Sequence, residues 1–284
     1  MAVVASSPGG RYVTDLKKSD FAVFEDGVKQ EIEFFGSAEE PFNVALLLDS
    51  SGSTVSQLNY IKESALAFIE SLRSHDRVMV MSFDDSVHVH CDFTSDRDRL
   101  RRAVEAIQPG EYTQVFEAVY TAIWERFEKI EGRKAVILFS DGIDNASSEI
   151  ALEDTLDAVV ETEDVIVYPI RYSTRADVEA RMEKRTPGEK LPESRRQLDR
   201  EYRRADEYLQ ELADLSGGTV QRADQLGDLR AAFARIADEL RHQYVLGYYP
   251  ANTRKSDAER KIAVRVSRDG VKIRTRPGYK ITER

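Results

Sequence analysis

The sequence predicts an α/β protein: a Rossmann-like, doubly wound, mostly parallel sheet flanked by helices, with a small accessory β-sheet built from the N- and C-terminal segments. Three observations carry this. Val44–Leu48, Ala135–Phe139 and Val165–Ile170 are continuous apolar runs, as strands buried on both faces should be. Stretches with apolar residues at helical spacing lie between them, and strand–helix alternation implies crossover units with helices on both sides of a sheet. Finally, residues 11–36 and 244–275 are rich in short β-like runs with hairpin turns.

In chain order, Phe21–Phe24 reads as a strand, Glu25-Asp26-Gly27 as a turn, and Gln30–Phe35 as a second strand; Asp-Gly between two such runs is a strong hairpin signal. Val55–Leu72 places Leu58, Ile61, Ala65, Phe68, Ile69 and Leu72 on one helical face. Val78–Phe83 is the next strand and Val87–Phe93, which alternates, an edge strand. Residues 96–107, 114–130 and 149–161 are expected to be helical. Residues 172–207, dense in charge and containing Pro187, Gly188 and Pro192, read as an exposed insertion, partly helical at 195–213. Gly217-Gly218 caps that helix. A short strand at Thr219-Val220 and a helix over Leu226–Leu240 follow, then strands at Tyr244–Tyr249, Lys261–Val266 and Val271–Thr275. The organisation is therefore 1–40 as a β segment, 41–241 as the α/β domain with its insertion at 172–207, and 242–284 as the second β segment, the two ends pairing with each other.

Composition bounds the function. Hydrophobic residues are 41% of the 284, enough for a substantial core. The net charge of −10 argues against nucleic acid, whose phosphates need a basic surface. One cysteine, Cys91, excludes an intramolecular disulfide. No run reaches the roughly 18–20 apolar residues of a membrane-spanning helix. Met1–Ala5 is too short and too poor in basic residues for a signal peptide, and Ser6–Gly10 reads as a turn.

The chemistry collects at strand ends. A buried strand delivers Asp49 into Asp49-Ser50-Ser51-Gly52-Ser53, a second delivers Asp141 in Ser140-Asp141-Gly142, and Thr113 precedes a helix after Pro109-Gly110. In a parallel sheet these points share one edge, where ligands bind. Asp49, Ser51, Ser53, Thr113 and Asp141 are five hard oxygen donors, suited to a divalent cation: magnesium first, manganese or calcium as alternatives, rather than zinc or copper. With hydroxyls outnumbering carboxylates, the cation would stay electron-poor and attract a carboxylate from outside.

The order Asp49-x-Ser51-x-Ser53, Thr113, Asp141 resembles the metal-ion-dependent adhesion site of von Willebrand factor A domains, over roughly residues 43–241. The resemblance implies that Asp49, Ser51 and Ser53 hold the metal, that Thr113 ligates when the site engages, and that Asp141 acts through water. Val13-Thr14-Asp15-Leu16, Asp20–Gly27, Tyr244–Pro250 and Arg276–Tyr279 are similar to a bacterial, Acidobacteria-type, relative of that domain, whose members are often exported. It implies an extracytoplasmic setting, with a leader expected upstream of Met1.

Other readings are weaker. Asp49 and its serines could form only a helix cap. Asp144 reads as a cap or loop partner, His88 and His90 as solvated side chains of an edge strand rather than zinc ligands, Cys91 as a small buried hydrophobe, and Trp124 as core. The acidic stretch 144–170 and the basic stretch 171–204 read as solvated faces, or as an insertion folded over an acidic helix. Ser51 has no histidine in motif range and no Gly-x-Ser-x-Gly around it. The expected function is thus a metal-dependent protein-binding module, not an enzyme. Its partner is a protein offering an Asp or Glu carboxylate. A structural role in a cell-envelope assembly is the alternative, and a metal-dependent hydrolase a more distant one.

Overall fold

The computed structural model describes residues 1–36, 40–162, 164–184, 194–223, 225–252 and 259–280. Among them the strands are β1 (Ala2–Ser6), β2 (Phe21–Glu25), β3 (Val28–Gln30), β4 (Phe34–Gly36), β5 (Phe42–Asp49), β6 (Arg77–Phe83), β7 (Val87–Thr94), β8 (Arg133–Ser140), β9 (Val165–Arg171), β10 (Gln221–Arg222), β11 (Gln243–Gly247), β12 (Arg260–Val266), β13 (Lys272–Arg274) and β14 (Gly278–Tyr279). The helices are α1 (Leu58–Ser71), α2 (Arg97–Glu105), α3 (Val115–Tyr120), α4 (Leu152–Glu161), α5 (Arg175–Lys184), α6 (Arg195–Ser216) and α7 (Leu226–Leu240).

The central sheet has the order β10-β9-β8-β5-β6-β7, parallel except for the edge strand β7. Its apolar runs are split by the pleat. Val44, Leu46 and Leu48 of β5 face one core with α1, α2 and α7, while Ala45 and Leu47 face a second with α3, α4 and α6. A strand buried twice has no polar face to offer, which is why β5, β8 and β9 carry continuous apolar sequence. Leu46 is fully buried at the middle of β5; Leu46→Ala is expected to destabilise the fold by about 2–5 kcal/mol, read by urea unfolding.

The two ends do pair, but as two antiparallel sheets rather than one. These have the orders β13-β1-β11-β4 and β14-β12-β2-β3, and one apolar cluster containing Val3, Ala5, Phe21, Val23, Tyr244 and Leu246 joins them. Ala2–Ser6, a segment too short to show a pattern in sequence, is the strand β1 between β11 and β13. The expected strand 30–35 is divided into β3 and β4, one in each sheet, so the chain crosses between them there. The short strand lies at Gln221–Arg222 instead of Thr219-Val220. The helix expected over 114–130 is α3 followed by a wider π-helical stretch at Thr121–Arg126.

The largest correction concerns 172–207. Where described, it is exposed only in part: α5 has no buried residue, while Leu198, Tyr202 and Ala205 of α6 are buried. Past residue 207 the same helix runs into the second core, where Tyr208, Leu209 and Leu212 are buried with residues of β8, β9 and α4. Among the described residues, Asp206 pairs with Arg171 at the end of β9, and Arg175 pairs with Glu179 and Asp199. The helix α6 docks through its apolar stripe. Pro187, Gly188 and Pro192 lie outside the described residues. At the end of α6, Gly217 takes φ +78° as a left-handed cap, and Gly218 passes so close to β9 that a Cβ would sit 1.9 Å from the carbonyl oxygen of Val167.

Candidate metal centre at the sheet edge

The strands β5 and β8 are neighbours in register, Leu48 opposite Phe139, so the residues that follow them meet. β6 and β8 flank β5 on opposite sides, the switch point at which such sheets open a crevice at their carboxyl ends. Asp49 stands there with no exposure, Asp141 at 6%.

The carboxylate of Asp49 is held by neutral donors alone. Oδ1 accepts from the Ser51 backbone N–H at 3.0 Å and the Ser51 hydroxyl at 2.5 Å, and Oδ2 from the Ser140 hydroxyl at 2.9 Å. Ser51 Oγ lies 3.1 Å from Ser53 Oγ. Asp141 accepts from the Ile143 N–H at 3.0 Å on Oδ1 and from the Thr174 hydroxyl on Oδ2. Burial and the nearby charge of Asp141 push the Asp49 carboxyl up to about 7, against the hydroxyl and N–H donors that favour its anion. Burial likewise raises Asp141, opposed by Thr174, Ile143 and the Arg171 charge.

Three loops are stapled together around these groups. Gly110 N–H donates to Ser50 O at 2.9 Å and Gly52 N–H to Glu111 O at 3.3 Å. Gly110 must be glycine because a Cβ would lie 2.5 Å from the side chain of Asp84. Asp84 in turn accepts from the Ser50 hydroxyl at 3.0 Å, and Asp85 from the N–H groups of Glu111 and Tyr112. Thr113 is 5% exposed and tied by its backbone, donating to Asn145 Oδ1 at 2.9 Å and accepting from the N–H groups of Asn145 and Ala146. Asp49, Ser51 and Ser53 are thus joined directly and Asp141 through Ser140 and its charge. Thr113 is joined through the backbone of the loops on either side.

Asp144 is a loop partner. It accepts from Phe116 N–H in the first turn of α3, from Ser147 N–H, and from the Ser147 hydroxyl. His88 lies 3.2 Å from Asp84, and His90 2.8 Å from the Ser82 hydroxyl. Among the described residues no group of three or more His, Cys, Asp or Glu side chains is placed to hold a metal ion. The strand-edge site has two carboxylates, and its remaining donors are hydroxyls. Cys91 is buried and free, and Trp124 is half-buried against the second core. Sequence reasoning missed Ser140, Asp84, Asn145 and Thr174 as partners of these groups. For Ser140 the signal was available, since it stands next to Asp141 at the end of an apolar strand.

The fold and part of the sequence have known counterparts. Residues 44–143 match the family model of the von Willebrand factor type A domain. No curated protein sequence matches the chain. Among solved structures, a von Willebrand factor type A protein from Catenulispora acidiphila aligns with TM-score 0.55 at 17% identity, covering 78% of this chain and 50% of that one. Proximal thread matrix protein 1 from the mussel byssus, in a structure titled as having a zinc-occupied MIDAS motif, aligns with TM-score 0.54 at 14% identity, over 76% of this chain and 49% of that one. The von Willebrand factor domain of the type V pili tip protein Mfa5 from Porphyromonas gingivalis gives TM-score 0.51 at 14% identity, over 70% and 94%. The chain spans about half the length of the first two. Its doubly wound sheet, with the matched segment running from β5 through the loop after β8, has the fold of von Willebrand factor type A domains.

Proposed function

We propose that the sheet edge is a metal-ion-dependent adhesion site, in which Asp49, Ser51, Ser53, Thr113 and Asp141 hold a divalent cation and a carboxylate from a protein partner completes the coordination. The observation that carries this reading is the pair of buried carboxylates, Asp49 and Asp141. Burial disfavours the charge of both, the charge of Asp141 adds to that at Asp49, and their hydrogen-bond donors are neutral hydroxyls and N–H groups, with Arg171 favouring the Asp141 anion. Two buried like charges cost stability unless a positive charge compensates them. The donors fit a hard cation, with magnesium first and manganese or calcium next. The bound cation supplies a Lewis-acidic point for an incoming Asp or Glu.

The protein's own part is orientation. Ser51 and Ser140 fix both oxygens of Asp49, and the Gly110–Ser50 and Gly52–Glu111 hydrogen bonds hold the Thr113 loop against the serine loop. Val55, 49% exposed two residues after Ser53, gives the rim an apolar contact point for a partner. The reading is of a binding module rather than an enzyme. Ser51 donates to Asp49, and in this reading that carboxylate is committed to the cation, which leaves the hydroxyl without a free base to activate it. The domain type is often used in protein interaction and adhesion, and the resemblance of the flanks to exported bacterial proteins supports an extracytoplasmic setting. A part in an envelope assembly is compatible with the same contact.

Partner capture from a native envelope fraction is expected to succeed with magnesium and fail with a chelator, and to fail for Asp49→Ala in either condition. Capture that survives both treatments defeats the reading.

A further inference from the structure

We propose that Thr174 is a positioning residue of the strand-edge site: its hydroxyl, oriented by Tyr202, fixes the carboxylate of Asp141, and thereby makes the α5–α6 excursion part of the site. The inference rests on the cation reading above and adds to it two residues outside the five-residue pattern.

Thr174 follows β9 and stands at the N-terminal end of α5, where its carbonyl accepts from Val178 N–H at 3.1 Å. In that place a threonine hydroxyl ordinarily accepts from the first free N–H groups of its own helix. Here it bonds outward. Thr174 Oγ1 donates to Asp141 Oδ2 and lies 2.7 Å from Tyr202 Oη. A carboxylate without a proton can only accept, so the threonine hydrogen is committed to Asp141. The Tyr202 hydroxyl is therefore the donor to Thr174. The result is a directed chain, Tyr202 to Thr174 to Asp141, whose links polarise one another. Both hydroxyl residues are buried, at 1% and 4% exposure, so water does not substitute for either.

Asp141 is consequently clamped at both oxygens, by Ile143 N–H on one and Thr174 on the other. The positive end of the α5 dipole lies on the same side and favours the anion. Two further contacts bind the excursion to the site loops. Gln57 Nε2 donates to Asp177 Oδ2 of α5 at 3.5 Å, and Gly142 packs so tightly beneath α6 that a Cβ would sit 2.9 Å from Leu209 and 3.0 Å from Ala205 O. An outer-sphere donor of this kind sets the direction in which a ligand's lone pairs point, and its loss lowers metal affinity without removing a ligand.

The test is a Mn²⁺ titration of the full chain, reading free Mn²⁺ by electron paramagnetic resonance, with metal-free thermal melts run in parallel. Thr174→Val is expected to weaken Mn²⁺ binding about 10-fold or more, Tyr202→Phe by a smaller factor, and Thr174→Ser to stay within about twofold of the wild type, as an orientation effect requires. Thr174→Val removes the hydroxyl and keeps the shape, so rescue by serine separates positioning from packing. Should Thr174→Val fold poorly, Tyr202→Phe, which leaves the threonine in place, still reads the chain. Unchanged Mn²⁺ affinity in both Thr174→Val and Tyr202→Phe, with Asp141→Ala abolishing binding, overturns this inference and leaves the adhesion-site reading standing. A wild-type protein that binds no Mn²⁺ overturns both.

Discussion

Asp49→Asn is expected to erase the cation-induced rise in melting temperature while leaving the metal-free protein as stable as the wild type, or more so. The substitution keeps the volume and one acceptor and removes one of two buried negative charges. Wild-type protein at a cation concentration a hundred times its Kd gains about 2.7 kcal/mol, which raises Tm by about 5–10 °C for a chain of this size. The variant should show none of that rise. The metal-free comparison carries its own pH signature. The folded-state pKa of Asp49 lies above its unfolded value of 3.8, so the folded protein binds the extra proton between them. Its contribution to stability is present at the acidic end and is lost as pH rises towards about 7. The Tm of metal-free Asp49→Asn minus that of wild type should therefore grow from pH 4.5 to pH 8. A difference that shrinks over that range would mean that Asp49 is stabilised by a fixed positive charge, contrary to the donors seen around it.

Gly218→Ala should be the most damaging single-atom change outside the site. The new Cβ would fall 1.9 Å from Val167 O, a backbone atom that cannot rotate away. Either α6 lifts from β9 or the strand shifts, and overpacking of this severity costs about 3 kcal/mol or more, lowering Tm by about 6–12 °C. Because α6 also supplies Tyr202, the damage should reach the proposed cation site. Mn²⁺ affinity should fall in Gly218→Ala although the residue touches none of the five donors. Chemical denaturation and the Mn²⁺ titration check the two parts separately. A stability equal to wild type would show that the α6–β9 approach is looser than the structure has it.

How much of this was legible in the sequence depended on the range of the interaction that decides each feature. The buried strands announced themselves, because burial on both faces forces unbroken apolar runs such as Val44–Leu48. The serine loop did too, since Asp49, Ser51 and Ser53 are spaced by local turn geometry. Thr174 and Tyr202 gave no such sign: they lie 33 and 61 residues beyond Asp141, brought together only by the crossing of β9 and α6. The burial of α6, within and beyond 172–207, was hidden for a different reason. Its charge density hid a stripe, Leu198, Tyr202, Ala205, Leu209 and Leu212, that recurs every three or four residues and is buried throughout. Read by period instead of by composition, it would have marked α6 as a core helix. The strand β1 was illegible because five residues are too few to show alternation, and its pairing with β11 spans almost the whole chain.

That pairing arrangement has a thermodynamic consequence. β4 and β11 lie side by side, Phe35 opposite Leu246, yet the entire central sheet and its helices are threaded between them. The terminal sandwich is thus a clasp whose two jaws are held at strand spacing by whatever fills the gap. Folded, the α/β body keeps the jaws in register. Melted, it becomes a flexible span of about two hundred residues, and closing such a loop carries an entropic cost that grows with its length. The pairing of the terminal sheets is therefore cheapest while the α/β body is folded, and loss of the body raises the cost of keeping β4 against β11.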